Sequence, residues 1–232
     1  MLKRSLDVIL ASIALLLFSP LLLPIAIALR LSAEGEVFYR QQRIGRGGKP
    51  FGILKFATML KDSPNLPGGD ISSRHDPRIL PLGHFLRSTK INELPQLLNI
   101  VAGDMSIIGA RPLTPRIAAM FDEAHWQALA HLRPGLSGIG SVVFRDEERL
   151  LEGHSDRQAV YRTTIVPHKA ALERWYATHR NLGVDLKLIA LTALAVLRPG
   201  VDAARWFEDL PPVPADLATL RARQLAHINT TL

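Results

Sequence analysis

The feature that most restricts this chain is an uncharged run from Val8 to Leu29. Wound as a helix at 1.5 Å per residue, it would reach about 33 Å, enough to cross the hydrocarbon layer of a bilayer. Ser19-Pro20 lies near its midpoint, where proline removes a backbone hydrogen bond and crowds the preceding turn, and Pro24 adds a second perturbation. Basic residues flank both ends: Lys3 and Arg4 before it, Arg30, Arg40, Arg43 and Arg46 after it. A spanning helix cannot meet the positive-inside tendency at both ends, whereas a segment that bends at Ser19-Pro20 and returns can. Residues 1–30 therefore read as a re-entrant membrane helical hairpin. A kinked span is the alternative, and a cleaved signal peptide is disfavoured by Asp7 and the overlong apolar core.

The remainder is long enough for one sizeable core. It divides into a cytoplasmic domain over 31–200 and a C-terminal tail over 201–232. The chain has 28 Lys and Arg against 21 Asp and Glu. The tail beyond Arg198 is slightly acidic, so the positive excess belongs to the body. Such a field favours polyanions or an anionic leaflet. Arginine outnumbers lysine 21 to 7, which suits bidentate phosphate binding but also follows from a GC-rich genome. The absence of cysteine excludes a disulfide framework, a thiolate nucleophile and a cysteine zinc site, and agrees with a reducing compartment.

From Glu36 to Met59 two short strands flank the glycine-rich turn Gly45–Pro50, whose cationic tip could touch lipid headgroups. That turn is no phosphate loop, since the lysine-serine or lysine-threonine ending and the following helix are both missing. Residues 62–76 have loop composition and either cover a site or form a surface excursion. Short helices are expected over Leu80–Arg87 and Glu93–Val101, the second with Asn92 as N-cap, Pro95 in its first turn and Gly103 as its stop. Further helical stretches run over Pro115–Leu132, over Ser155–Arg180 with a break near Pro167, and over Leu186–Leu197, which is too short to span and ends at Pro199-Gly200. The tail carries a proline-rich linker and an Asp216–His227 helix that docks or frays.

The densest polar cluster runs from Arg74-His75-Asp76-Pro77-Arg78 to Gly109-Ala110-Arg111-Pro112. It leaves Glu93 in a helix first turn flanked in sequence by arginines. A glutamate there is often only a dipole-favoured helix starter. A carboxylate able to hold Mg²⁺ among arginines able to hold phosphates is also the minimum equipment for phosphoryl transfer.

Ordered motifs then carry a resemblance. They are Lys3-Arg4-Ser-Leu-Asp7, Phe18-Ser19-Pro20, Tyr39-Arg40-Gln41-Gln42-Arg43-Ile44-Gly45, Lys55-Phe56-Ala57-Thr58-Met59, Asp76-Pro77-Arg78-Ile79, Asn92-Glu93-Leu94-Pro95-Gln96-Leu97, Gly103-Asp104-Met105-Ser106, Gly109-Ala110-Arg111-Pro112, Arg133-Pro134-Gly135-Leu136-Ser137-Gly138 and Leu182–Lys187. From Lys3 to about Pro199 the chain resembles the monotopic bacterial sugar transferases, or polyprenyl-phosphate phosphoglycosyl transferases. The resemblance implies a Mg²⁺-dependent enzyme at the cytoplasmic face of the bacterial inner membrane. It would move a sugar-1-phosphate from a UDP-sugar to undecaprenyl phosphate and release UMP, as the first membrane step of glycan or polysaccharide assembly. Its fold would be α/β and mostly helical, with the membrane hairpin and a small interfacial catalytic domain bearing a short β-hairpin. Membrane lipids are implied partners, and there is room for a homo-oligomer.

By the same resemblance Glu93 is a catalytic residue and the metal ligand, and Arg78, Arg87, Arg111, Arg145 and Lys55 fall on motif positions suited to phosphates or nucleotide. Asn92 stands where the family has the aspartate described as its nucleophile. An amide has no anionic oxygen with which to attack phosphorus. Three chemistries follow: direct attack by the lipid phosphate, attack by Glu93 itself, or a scaffold that binds nucleotide sugar without turning it over. A nucleic-acid-binding protein would explain the charge but leaves the apolar segment without a purpose, and neither a recognised motif nor enough aromatics for stacking is present.

Overall fold

The computed structural model describes residues 2–230 except 33, 64, 67–75, 146, 152–153, 155 and 198–202. Most of the expected loop 62–76, with Arg74 and His75, and the Pro199-Gly200 stop lie outside the described residues. The fold is mostly helical with two small strand pairs.

Helix α1 runs over Leu2–Leu31 and contains Pro20 and Pro24. It is long and apolar enough to cross a membrane. Pro20 has no N–H to give the Leu16 carbonyl, and the Ser19 hydroxyl donates to that same oxygen at 2.8 Å. With this replacement bond the helix continues through Ser19-Pro20. One continuous helix thus stands where two helices joined by a break were expected. Its two ends both pack on the domain. Ala11 is buried with Ile53, Leu97, Ile100 and Met105, and Ile25 and Leu29 are buried with Phe56 and Leu86. Between them Leu16 and Leu17 are exposed at 78% and 70%.

The charged residues at the start of α1 are anchors. Lys3 pairs with Asp185 at 2.7 Å. Arg4 donates to the Ile100 and Val101 carbonyls, at a helix end where a cation complements unpaired C=O groups. Asp7 is buried and accepts from the Ser106 hydroxyl at 2.7 Å and the Ile107 N–H at 3.1 Å. Lys3 and Arg4, expected as a basic flank, are therefore engaged with the domain.

Strands β1 (Phe38–Ile44) and β2 (Pro50–Phe56) form an antiparallel hairpin with Phe38 opposite Phe56 and Ile44 opposite Pro50. Gly47 takes a left-handed conformation at the tip, φ 66°. Its N–H donates to the Ala130 carbonyl at 2.8 Å, so the tip expected at lipid headgroups has its backbone tied to the domain.

Helix α2 (Pro81–Ser88) leads into a 3₁₀ turn at Ile91–Glu93 and helix α3 (Gln96–Ala102), which Gly103 ends at φ 102°. Strand β3 (Ser106–Ile108) pairs in parallel with β4 (Gly135–Ser137). Between them, α4 (Pro115–Ala118) and α5 (Glu123–Leu129) start on the side-chain caps Thr114 and Asp122, so the single stretch expected over 115–132 is divided. After α6 (Ile139–Val143) and α7 (Glu147–Leu150) come α8 (Arg157–Val160), a π-helical turn at Tyr161–Ile165, and α9 (Val166–His179) with Pro167 in its first turn. Helices α10 (Leu182–Leu197) and α11 (Ala215–Thr230) complete the chain. The largest core gathers Ile108, Ile139, Ile165, Leu172, Leu188, Leu191 and Leu217, each at most 1% exposed. Leu217 shows that the tail helix docks.

Candidate active site

The site is assembled where α3 meets β2. The Asn99 amide donates to the Gly52 carbonyl and accepts the Leu54 N–H, both at 2.9 Å. This bracket fixes the middle of α3 against β2 beside Lys55, the next residue of the strand. The chain enters through Lys90, the one non-glycine described residue with positive φ, at 62°. Such a conformation costs about 1–2 kcal/mol and persists where packing demands it.

Asn92 is not the N-cap of α3. Pro95 has no N–H, and the turn before it closes with the tighter bonds Glu93 N–H to Lys90 at 3.0 Å and Leu94 N–H to Ile91 at 3.1 Å. Helix α3 begins only after Pro95, with no side-chain cap. Glu93 accordingly ends a 3₁₀ turn and owes its surroundings to side chains instead of a helix dipole. Asn92 is 5% exposed, and its Oδ1 is buried with no hydrogen-bond partner.

Arg111 reaches Glu93 from the loop after β3, with Nη2 2.9 Å from Oε1 and Nη1 3.4 Å from Oε2, a two-point contact. Lys55 Nζ lies 3.3 Å from the same Oε1. Burial works to raise the Glu93 carboxyl, but Arg111 and Lys55 overcome it and hold the group well below the usual carboxylate range. Burial pushes Lys55 down to about 8 against the pull of Glu93. Glu93 is thus an ionised carboxylate between two cations, with an unpartnered amide oxygen beside it in sequence.

Lys55, Arg78, Arg87, Asn92, Glu93, Arg111 and Arg145 all line one cleft of about 1470 Å³. Side-chain contacts join Lys55, Glu93 and Arg111 among them. Arg78 is buried and clamps the chain: it holds Asp76 through Nε at 2.9 Å and Nη2 at 2.6 Å, and the Ser63 carbonyl through Nη1 at 3.0 Å. Arg87 and Arg145 are on the wall. Phe18 of α1 and Ile189, Ala193 and Val196 of α10 add apolar lining.

A second polar layer lies behind Arg111. Its N–H donates to Glu173 Oε1 at 3.3 Å, and Glu173 Oε2 faces His125 Nε2 at 3.5 Å. Burial pushes Glu173 up to about 7 and His125 down to about 4, so this pair is disposed to be neutral. Lys169, four residues before Glu173, is buried against Glu147 and Tyr161. None of these five residues stands out in the sequence. Lys169 and Glu173 at four-residue spacing look like a solvated ion pair on an amphipathic helix. The stretch Ile165–Tyr176 also carries His168 and Arg174, so its composition does not mark Lys169 and Glu173 as buried.

The donor set suits a magnesium ion. Among the described residues no three His, Asp or Glu side chains converge, and Mg²⁺ takes one or two carboxylates with the remainder from water and substrate phosphates. Glu93 is one such carboxylate, and the orphaned Asn92 Oδ1 is a neutral carbonyl oxygen beside it in sequence.

The model of the family described as bacterial sugar transferase matches residues 1–199. The UDP-glucose:undecaprenyl-phosphate glucose-1-phosphate transferase of Escherichia coli (strain K12) is 46% identical over 199 residues, covering 83% of this chain and 39% of that protein. The exopolysaccharide production protein ExoY of Rhizobium meliloti is 40% identical, covering 84% of this chain and 85% of its own. A UDP-glucose:undecaprenyl-phosphate glucose-1-phosphate transferase of Caulobacter vibrioides is 36% identical, covering 84% and 69% respectively. The motifs that build the Lys55–Glu93–Arg111 cluster lie within the matched stretch, and the chain belongs to the bacterial sugar transferase family.

Proposed function

We propose that this protein transfers a sugar-1-phosphate from a UDP-sugar to undecaprenyl phosphate at the cytoplasmic face of the bacterial inner membrane. The observation that carries this reading is the cleft itself. An ionised Glu93, held by Lys55 and Arg111, shares one opening with apolar side chains of α1 and α10, which suits a donor from water and a lipid phosphate from the bilayer. The same reading takes α1 as re-entrant: both its ends pack on one domain while Leu16 and Leu17 stay exposed. Exposed Phe38, Phe85, Leu98 and Val101 on β1, α2 and α3 extend the apolar face.

In this reaction an oxygen of the lipid phosphate attacks the sugar-linked phosphorus, and the bond to the UMP oxygen breaks. Arg111 and Lys55 balance the charge that spreads over the phosphoryl oxygens, so positioning and electrostatics supply the catalysis. Glu93 and Asn92 would hold a magnesium ion, which supplies further charge neutralisation on the phosphates when bound. Glu93 fixes Arg111 through two bonds, a role that competes with attack on phosphorus and favours direct displacement over a Glu93 nucleophile.

The second reading is a nucleotide-sugar-binding scaffold, favoured by the neutral Asn92 at the buried heart of the site. UMP release from a panel of UDP-sugars with undecaprenyl phosphate separates the two. The wild type is expected to release UMP, and Glu93→Ala to lose it by at least about a hundredfold, as for removal of an electrostatic stabiliser. Activity that appears only in Asn92→Asp would establish the scaffold instead.

A further inference from the structure

Among the described residues the carboxylates on the cleft wall are Glu36, Glu93 and Glu147. Glu36 pairs with Lys61 at 2.8 Å, and Glu93 is held by two cations. Glu147 differs from both. Its Oε2 accepts from the buried Lys169, its side chain is 28% exposed, and its Oε1 has no partner among the described residues. Lys169 Nζ also donates to the Tyr161 hydroxyl at 3.3 Å and lies 5.3–5.4 Å from the ring centres of Tyr161 and Phe144. These contacts fix the ammonium and, through it, one oxygen of Glu147.

The backbone is adapted to this arrangement. Eight residues of regular α-helix separate two side chains by roughly 80° around the axis at about 100° per residue. The π turn at Tyr161–Ile165 admits an extra residue, which takes out roughly that angle. It thereby puts Tyr161 on the Lys169 face. Helix α11, beyond the family-matched stretch, supports the cluster from behind: Arg221 donates to the Val143 carbonyl at 3.3 Å and stacks 5.4 Å from the Phe144 ring centre.

A free carboxylate oxygen repels a diphosphate, and the phosphates have Lys55, Arg87, Arg111 and Arg145 on the same walls. What Glu147 suits is the neutral, hydroxyl-rich part of the donor. Arg111 and Glu147 line the same cleft, so a donor whose phosphates meet Arg111 can present its sugar to Glu147. We propose that Glu147 accepts hydrogen bonds from hydroxyls of the donor's sugar ring and sets sugar specificity, with Lys169 and Tyr161 as the residues that position it. This rests on the transferase reading and deepens it.

The experiment compares affinities of the full chain in lipid nanodiscs for UDP and for UDP-glucose, UDP-galactose and UDP-N-acetylglucosamine, alongside UMP release. Glu147→Gln is expected to weaken the preferred UDP-sugar by about tenfold, as for a lost charged hydrogen bond, and to leave UDP within about twofold. Tyr161→Phe should shift the same sugars in the same direction by less. Glu147→Gln with Lys169→Met leaves no buried cation unpaired and should give the same sugar-selective loss, which guards against misfolding of the single variant. If wild type binds and turns over a UDP-sugar but these variants weaken UDP and UDP-sugar equally, or neither, the subsite is overturned alone. If wild type neither binds nor cleaves any UDP-sugar, the transferase reading fails and the subsite with it.

Discussion

At the scale of single residues, the site is a set of buried charges whose states are set by their neighbours. Glu173 and His125 make this measurable. Glu173 ordinarily titrates near 4.5 and is pushed by burial to about 7, so the folded protein binds the extra proton and its stability falls as pH rises between those values. His125 is pushed from near 6.5 to about 4, so the unfolded chain binds the extra proton and stability rises with pH over that window. Between about 4.5 and 6.5 the two slopes oppose each other. A protonated Glu173 can aim its O–H at His125 Nε2, which gives both unpartnered atoms a bond. Wild type should therefore show a smaller change of melting temperature from this pair over that range than either single variant. Glu173→Gln should leave the histidine's rise uncovered, and His125→Asn the glutamate's fall. Parallel melting curves for all three would refute the pairing. Glu93, Arg111 and Lys55 were legible in the sequence because they sit in motifs with a recognisable order. Glu173, His125 and Lys169 were not, because burial by distant elements gives ordinary surface-type residues their altered chemistry.

At the scale of elements, local signals did well where the chain acts locally. The hairpin, the Gly103 stop, α2 and α10 follow from alternation, glycine and apolar period. They failed where a backbone group had to be satisfied from elsewhere. Pro95 was expected inside the first turn of α3, yet its missing N–H delays the helix and takes Asn92 away from the cap. The two caps Thr114 and Asp122 divide a stretch that reads as one amphipathic helix. Close backbone approach was equally invisible: a Cβ on Gly138 would lie 2.1 Å from the Gly109 carbonyl oxygen, and Gly109 is two residues from Arg111. Gly138→Ala must therefore push the β3 end aside. UMP release should fall by at least about tenfold, since a small misplacement of a positioned group costs that much. Secondary structure by circular dichroism should be retained, and an unaffected rate would show that this approach does not set the Arg111 position.

At the scale of the molecule, the apolar segment that restricts the sequence most is tied to the domain at both ends. Lys3, Arg4 and Asp7 hold one end to Asp185, α3 and β3, and Leu29 lies against Phe56 and Leu86 at the other. A straight helix from Leu2 to Leu31 would be about 45 Å long. Exposed apolar side chains, Leu16 and Leu17 among them, run along its outer face from Leu2 to Leu31, and the re-entrant reading proposed above has them presented to lipid. That reading puts its bend at Ser19 and Pro20, where in this structure the hydroxyl takes over the carbonyl that proline cannot bond and the helix continues. In the re-entrant geometry, single cysteines placed at Ser5 and at Ser32 in this cysteine-free chain should both react with an impermeant thiol reagent from the cytoplasmic side of oriented vesicles. Neither should react from the opposite side. Replacing Ser19-Pro20 by two leucines removes the proline on which the re-entrant reading depends and should move one of the two cysteines to the far side, with loss of UMP release. Opposite-side labelling in the unaltered hinge would mean that α1 spans, and the apolar wall of the cleft would then need another explanation.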